Sequence, residues 1–113
     1  MWDQLNLFSE SDQPLSVSEV TNRIRGVIER EPVLQDLWIE GEVSNFSRAA
    51  SGHIYFTLKD AGSQIGCVIW RSQARTLSYM PGAGDQIQSH GRIGIYERGG
   101  RYQFYVDQVR PAG

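Results

Sequence analysis

The chain has 113 residues, of which 40% are hydrophobic and 11% aromatic, and a formal net charge of −2; that is enough for one hydrophobic core and little more. Its single cysteine, Cys67, excludes an internal disulfide and a multi-cysteine zinc site, and no apolar stretch approaches the ~20 residues that cross a bilayer. The opening from Met1 to Asp12 is acidic with scattered apolar residues, unlike the basic-then-apolar layout of a secretion signal, so the chain reads as a soluble cytoplasmic protein.

Charge is unevenly distributed. Residues 1 to 42 hold three arginines against nine carboxylates, whereas residues 43 to 113 hold seven arginines and one lysine against four carboxylates. A polyanion is therefore expected to meet the second part of the chain. The overall pI of about 5.6 argues for modest rather than salt-resistant binding.

Residues 1 to 14 carry few structural signals and read as a flexible tail closed by Pro14, with Trp2, Leu5 and Phe8 as an alternative docking face. Ser16-Val17-Ser18-Glu19 has the form of a capping box, and Val17, Val20, Ile24, Val27 and Ile28 follow at helical spacing until Pro32. This predicts an amphipathic helix over 17–30. Strand patterns then take over: Leu37–Ser44 with Gly41 at a bend, a polar loop Asn45–Gly52, a second strand over 53–60, a short hairpin Ala61–Ser63, and a third strand Gln64–Arg71. One or two helical turns are expected between Ser72 and Tyr79. A fourth strand from Asp85 to Glu97 and a fifth from Tyr102 to Val109 flank Arg98-Gly99-Gly100-Arg101, where paired glycines supply the positive φ of a tight hairpin. Five coiled strands with a helical insert after the third predict a mainly β chain: an OB-fold barrel over residues 15–113, preceded by an amphipathic helix. An open antiparallel sheet under that helix is the rival.

OB-folds bind oligonucleotides across strands 2 and 3, between the loops joining strands 1–2 and 4–5. On strand 2, Ile54, Phe56 and Leu58 alternate with His53, Tyr55, Thr57 and Lys59, placing a ring between an imidazole and an ammonium on one face. The first loop supplies Phe46 and Arg48, the end of strand 3 supplies Trp70 and Arg71, and the last hairpin supplies Arg98 and Arg101. Rings for stacking and cations for phosphates are what a single-stranded nucleic acid needs. The bland readings stand beside these. Phe46 either plugs the barrel end or stacks, Tyr55 is either a platform or an ordinary cross-strand tyrosine, and His53 is structural rather than catalytic. Trp70 shares its alternation set with Gly66 and Val68, and core packing is the favoured reading there. Trp38 reads as the contact for the leading helix, and Cys67 as a small buried hydrophobe.

Glu40, Glu42, Asp60 and Asp107 do not have the arrangement of a two-metal site and read as solvated strand faces. No nucleophile, zinc-ligand or phosphate-loop spacing occurs, so neither catalysis nor a cofactor or metal is expected in this piece.

The runs Trp38-Ile39-Glu40-Gly41-Glu42-Val43-Ser44-Asn45-Phe46 and Ser51-Gly52-His53-Ile54-Tyr55-Phe56-Thr57-Leu58-Lys59-Asp60, with Tyr96-Glu97-Arg98-Gly99-Gly100-Arg101-Tyr102-Gln103 and the closing Arg110-Pro111-Ala112-Gly113, resemble the N-terminal domain of the large subunit of exodeoxyribonuclease VII. The resemblance covers about residues 15 to 113. It implies an OB-fold that holds single-stranded DNA for a bacterial cytoplasmic nuclease degrading single strands from either end to oligonucleotides. It also implies a small helical subunit as partner and a catalytic region beyond Gly113, so the chain is expected to be a piece of a longer protein. Carried over by position are Phe46, His53, Tyr55, Lys59, Arg98 and Arg101; Trp70 and Arg71 rest on strand geometry. The competing expectation is a docking module for subunit or interdomain contacts with little affinity for DNA.

Overall fold

The structure is a computed structural model that describes residues 12–96 and 98–113; Trp2, Leu5 and Phe8, the expected docking face of the tail, lie outside the described residues. The capping box forms as the sequence requires: the Ser16 hydroxyl accepts from the Glu19 amide at 3.0 Å, and the Glu19 carboxylate accepts from the Ser16 amide at 2.7 Å. Helix α1, Val17–Glu29, follows, and a single turn α2, Pro32–Gln35, is capped by the Glu31 carboxylate. The Gln35 amide donates to the carbonyls of both Ile28 and Ile93, at 3.1 Å each, and so ties the end of α1 to the sheet.

Five strands close into a barrel: β1 Leu37–Arg48, β2 Ile54–Lys59, β3 Gln64–Ile69, β4 Gln86–Ile95 and β5 Tyr102–Pro111, in the order β1-β2-β3-β5-β4. One helical turn, α3 Arg71–Ala74, leads out of β3. All neighbours are antiparallel except β3 and β5, whose parallel pairing completes the cylinder. The expected OB-fold barrel with its leading helix is therefore the architecture, and the open sheet is not.

Closure depends on β1 serving two partners. Leu37 to Glu42 pair with β4, while Glu42 to Arg48 pair with β2. Gly41 lies at the changeover, where an added Cβ would stand 3.0 Å from the Lys59 carbonyl oxygen. Gly91 lies beside a register shift between His90 and Gly91, and a Cβ there would stand 2.0 Å from the Tyr105 carbonyl oxygen. Bulges of this kind sharpen strand coiling, which a small barrel requires. The core is Val43, Ile54, Phe56, Leu58, Cys67, Ile69, Ile87, Ile93, Phe104, Val106 and Val109. Burial pushes the Cys67 thiol up to about 12, so it behaves as a hydrophobe at neutral pH.

Two sequence expectations change. The presumed loop from Asn45 is still strand as far as Arg48, because a register shift between Ser44 and Ser47 lets β1 continue; Asn45 takes φ +52, a conformation that asparagine tolerates better than most residues. Trp38 does not serve as the helix's contact. Its ring lies 5.3 Å from His90 and carries the Arg110 guanidinium at 3.8 Å, because β1 pairs with β4 and turns position 38 toward that partner.

The two environments predict opposite responses to one methyl group. Gly91→Ala should cost about 3 kcal/mol, since backbone and not a movable side chain blocks the site. Gly66→Ala, exposed and with nothing within 4 Å of its Cβ, should be neutral to slightly stabilising. Urea denaturation of both variants checks this; equal midpoints would contradict the closure geometry.

Candidate nucleic-acid interface

Alternation on β2, β4 and β5 sends Phe56, Ile93 and Phe104 inward and leaves Tyr55, Arg92 and Tyr105 on the outer face. Register then aligns them. Tyr55 lies opposite Val68, Val68 opposite Tyr105, and Tyr105 opposite Arg92, so one row crosses β2, β3, β5 and β4. Val68 is only 2% exposed yet stands apart from the core cluster that holds Cys67 and Ile69. It forms an apolar floor between two tyrosines. The Arg92 guanidinium sits 4.7 Å from the Tyr105 ring centroid, a cation–π contact that draws the two side chains together. Burial, partly offset by Arg92, pushes the Tyr105 phenol up, so it stays neutral and adds no charge beside a phosphate.

Trp70 joins this row rather than the core. It follows Ile69 at the start of α3, is 40% exposed, stacks on Tyr105 at 5.7 Å with 25° between the planes, and meets His53 edge-on at 5.0 Å. The expectation of core packing fails because the end of β3 buries Cys67, Val68 and Ile69 in succession, which leaves alternation without an inside and an outside to report. His53 has the expected structural role: its Nδ1 accepts from the Arg71 amide at 2.8 Å and ties the loop before β2 to the start of α3. Arg71 is thereby held next to Trp70, with its side chain exposed.

The remaining expected residues are spread more widely. Phe46 is half-buried against the core, its ring 6.4 Å from Phe56, which is the plugging role. Arg48 is exposed at the end of β1, opposite Ile54. Lys59 is exposed but four residues along β2 from Tyr55, about 13 Å at ~3.3 Å per residue, and it sits near the Asp60 and Gln64 turn rather than in the aromatic row. Arg98 and Arg101 are exposed on the final hairpin, which Tyr96 and Arg101 close through a 2.7 Å backbone hydrogen bond. Arg98 reaches a hollow of about 540 Å³ that Trp70, Arg92 and Tyr105 also line; Arg101 does not line it.

Arg92 and Tyr105 were absent from the sequence-based site, although a signal for them existed. Tyr105 alternates between Phe104 and Val106, and counting outward from the Gly99-Gly100 turn sets Ile95 against Tyr102 and hence Arg92 against Tyr105. The adjoining surface is different in character. His90 is held between Asp107, 2.7 Å from Nδ1, and Asp36, 2.5 Å from Nε2. Farther round, Gln88 bridges Glu40 and Arg110, so the cation there is engaged within the fold.

Comparison with known proteins agrees with this architecture. Residues 15–110 match the model of the OB-fold nucleic acid binding domain. The chain belongs to that family. It is also 49% identical over 109 residues to the exodeoxyribonuclease 7 large subunit of Geobacter metallireducens, and 48% identical over 98 residues to that of Halothermothrix orenii. These alignments cover 96% and 87% of the chain but only 23% and 24% of the relatives, at their N-terminal part. The chain thus spans about a quarter of the length of the curated relatives it matches. Among solved structures, a replication protein A heterotrimer bound to ssDNA aligns with TM-score 0.58 at 19% identity, covering 71% of this chain and 59% of that one. A second single-stranded DNA binding protein of Mycobacterium smegmatis aligns with TM-score 0.55 at 20% identity, covering 69% and 86%. At such identities these two show the shared fold. No helix among the described residues is long and apolar enough to cross a membrane.

The His90 cluster carries a pH signature. Its hydrogen bonds to Asp107 and then Asp36 raise the imidazole's pKa above 6.5, so the protonated pair geometry stabilises the fold fully below about pH 6.5. That contribution is lost as pH rises through the raised folded-state value. The stability difference between the wild type and His90→Asn should therefore shrink with rising pH in thermal melts; a difference independent of pH would contradict the charge assignment.

Proposed function

We propose that this domain holds single-stranded DNA across the row Tyr55–Val68–Tyr105–Arg92, with Trp70 as the principal stacking platform, on behalf of an exodeoxyribonuclease VII. In this reading the hydrolysis of single strands from either end belongs to a catalytic region outside this chain. The whole enzyme also includes a small subunit and works in the cytoplasm. The observation that carries the reading is the stack of Trp70 on Tyr105 with Arg92 over the same tyrosine. A half-exposed indole offers a base a π-face, and the adjoining guanidinium offers its phosphate a charge. Phosphates would then track Arg71 and Arg98, with Arg48, Lys59 and Arg101 as outlying contacts, while Phe46 and His53 shape the site from beneath. The similarity to the N-terminal part of exodeoxyribonuclease 7 large subunits supports the choice of DNA and of nuclease.

A second reading has its own observation. Val17, Val20, Ile24 and Val27 of α1 are 84%, 43%, 49% and 63% exposed, an apolar stripe that a docking module would cover. Light scattering separates the two: self-association without any shift on adding oligonucleotide favours docking.

The direct test is a titration with labelled oligodeoxynucleotide and its oligoribonucleotide counterpart. Trp70→Ala should weaken binding by about 1–3 kcal/mol and Tyr55→Ala by less, with circular dichroism unchanged. Charge reversal at Arg98 and Arg101 should flatten the dependence of affinity on salt. Unchanged affinity in Trp70→Ala would remove the indole from the site, and tighter binding of the RNA would overturn the assignment of DNA.

A further inference from the structure

The hollow beside Tyr105 has one wall that does not belong to the barrel. Arg25 and Glu29 of helix α1 face Trp70, Arg92, Arg98 and Tyr105 across about 540 Å³. Arg25 also lines a second hollow, of about 460 Å³, between α1 and the tip of the β4–β5 hairpin, together with Ser18, Thr21, Asn22 and the two tip glycines. A Cβ built on Gly100 would lie 3.4 Å from the Thr21 hydroxyl oxygen, so helix and hairpin approach closely. A trough therefore runs from the aromatic row to the helix, and Arg25 stands where its two parts meet. Its Nη1 donates to the neighbouring Asn22 side chain at 2.5 Å, which holds the guanidinium in place. Among the described residues, no carboxylate lies within 4 Å of Arg25, Arg92 or Arg98.

The opposite exit from the aromatic row is less favourable to a polyanion. A hollow of about 340 Å³ also touches Trp70, Arg92 and Tyr105, but Asp36 and Asp107 line it, flanking His90. The two carboxylates offset Arg92 and a protonated His90, so that end is at best neutral, and it is negative once His90 loses its proton. Phosphates are attracted more strongly at the other end, where, among the described residues, three guanidinium groups stand against one carboxylate.

We propose that a single strand crossing Trp70 and Tyr105 leaves the barrel between helix α1 and the final hairpin, with Arg25 and Arg98 holding its phosphodiester backbone. Helix α1 is then one wall of the nucleic-acid site. This rests on the reading of the aromatic row as a single-stranded DNA platform and adds to it a direction of exit and a residue, Arg25, outside the barrel.

The test is fluorescence polarisation with labelled oligothymidylates of about 4 and about 16 nucleotides, the span of OB-fold site sizes, over a range of salt. Glutamine keeps helix propensity while removing the charge. Arg25→Gln should therefore leave the short oligonucleotide's affinity unchanged and weaken the long one severalfold. The salt slope for the long one should fall by about 0.7, the value for one phosphate contact on a single strand. Arg25→Lys should restore the slope. A wild-type slope in Arg25→Gln, while Trp70→Ala weakens both lengths, would overturn the exit over α1 and leave the platform standing. Binding of both lengths that is indifferent to Trp70→Ala as well would overturn the platform and the exit together.

Discussion

The double pairing of β1 is the constraint on which the rest of the molecule depends. One strand must leave β4 and join β2 within its own length, and the backbone can do so only where side chains are absent. Gly41 provides that place, where an added Cβ would stand 3.0 Å from the Lys59 carbonyl oxygen, and Gly91 provides the matching concession on β4. Once the cylinder closes, β3 and β5 are brought side by side in parallel. That pairing sets Val68 between Tyr55 and Tyr105. The surface chemistry is thus a consequence of closure: no pair of sequence neighbours could have built the row.

The outer wall divides by charge as well as by chemistry. On the α1 side of Trp70 and Tyr105 the ionic groups among the described residues are mostly guanidinium. Beyond His90 they are carboxylates, and the arginine on that side, Arg110, is already occupied by the Trp38 ring and Gln88. A polyanion would therefore meet a cationic sector on a chain of net charge −2. In the proposed reading this uneven layout lets a domain of opposing overall charge take up a single strand with modest affinity.

Much of this was legible in the sequence because antiparallel strands announce themselves by alternation and hairpins by their turns. Ser16 and Glu19 marked the helix start, Ile54, Phe56 and Leu58 marked the inner face of β2, and Gly99-Gly100 fixed the register that pairs Arg92 with Tyr105. What escaped was non-local or irregular. The parallel contact between Val68 and Tyr105 joins segments with a helical turn, a strand and a hairpin between them. The bulge at Asn45 and Phe46 looked like a loop, since polar residues and a broken period conceal a strand that continues. Trp70 was ambiguous for a different reason: three consecutive buried residues precede it, so its direction follows from packing against Tyr105 rather than from position. Trp38 misled in the same way, because its neighbours come from β4 and β5.

The central claim is that nucleic acid lies on the row crossing β2, β3, β5 and β4. Backbone amide chemical-shift mapping by NMR during titration with oligodeoxynucleotide tests it most directly. The account predicts the largest changes at Tyr55, Val68, Trp70, Arg92 and Tyr105, with little movement at Trp38, Glu40 and Gln88. Changes centred on Trp38, Glu40 and Gln88, with Trp70 and Tyr105 unmoved, would contradict it.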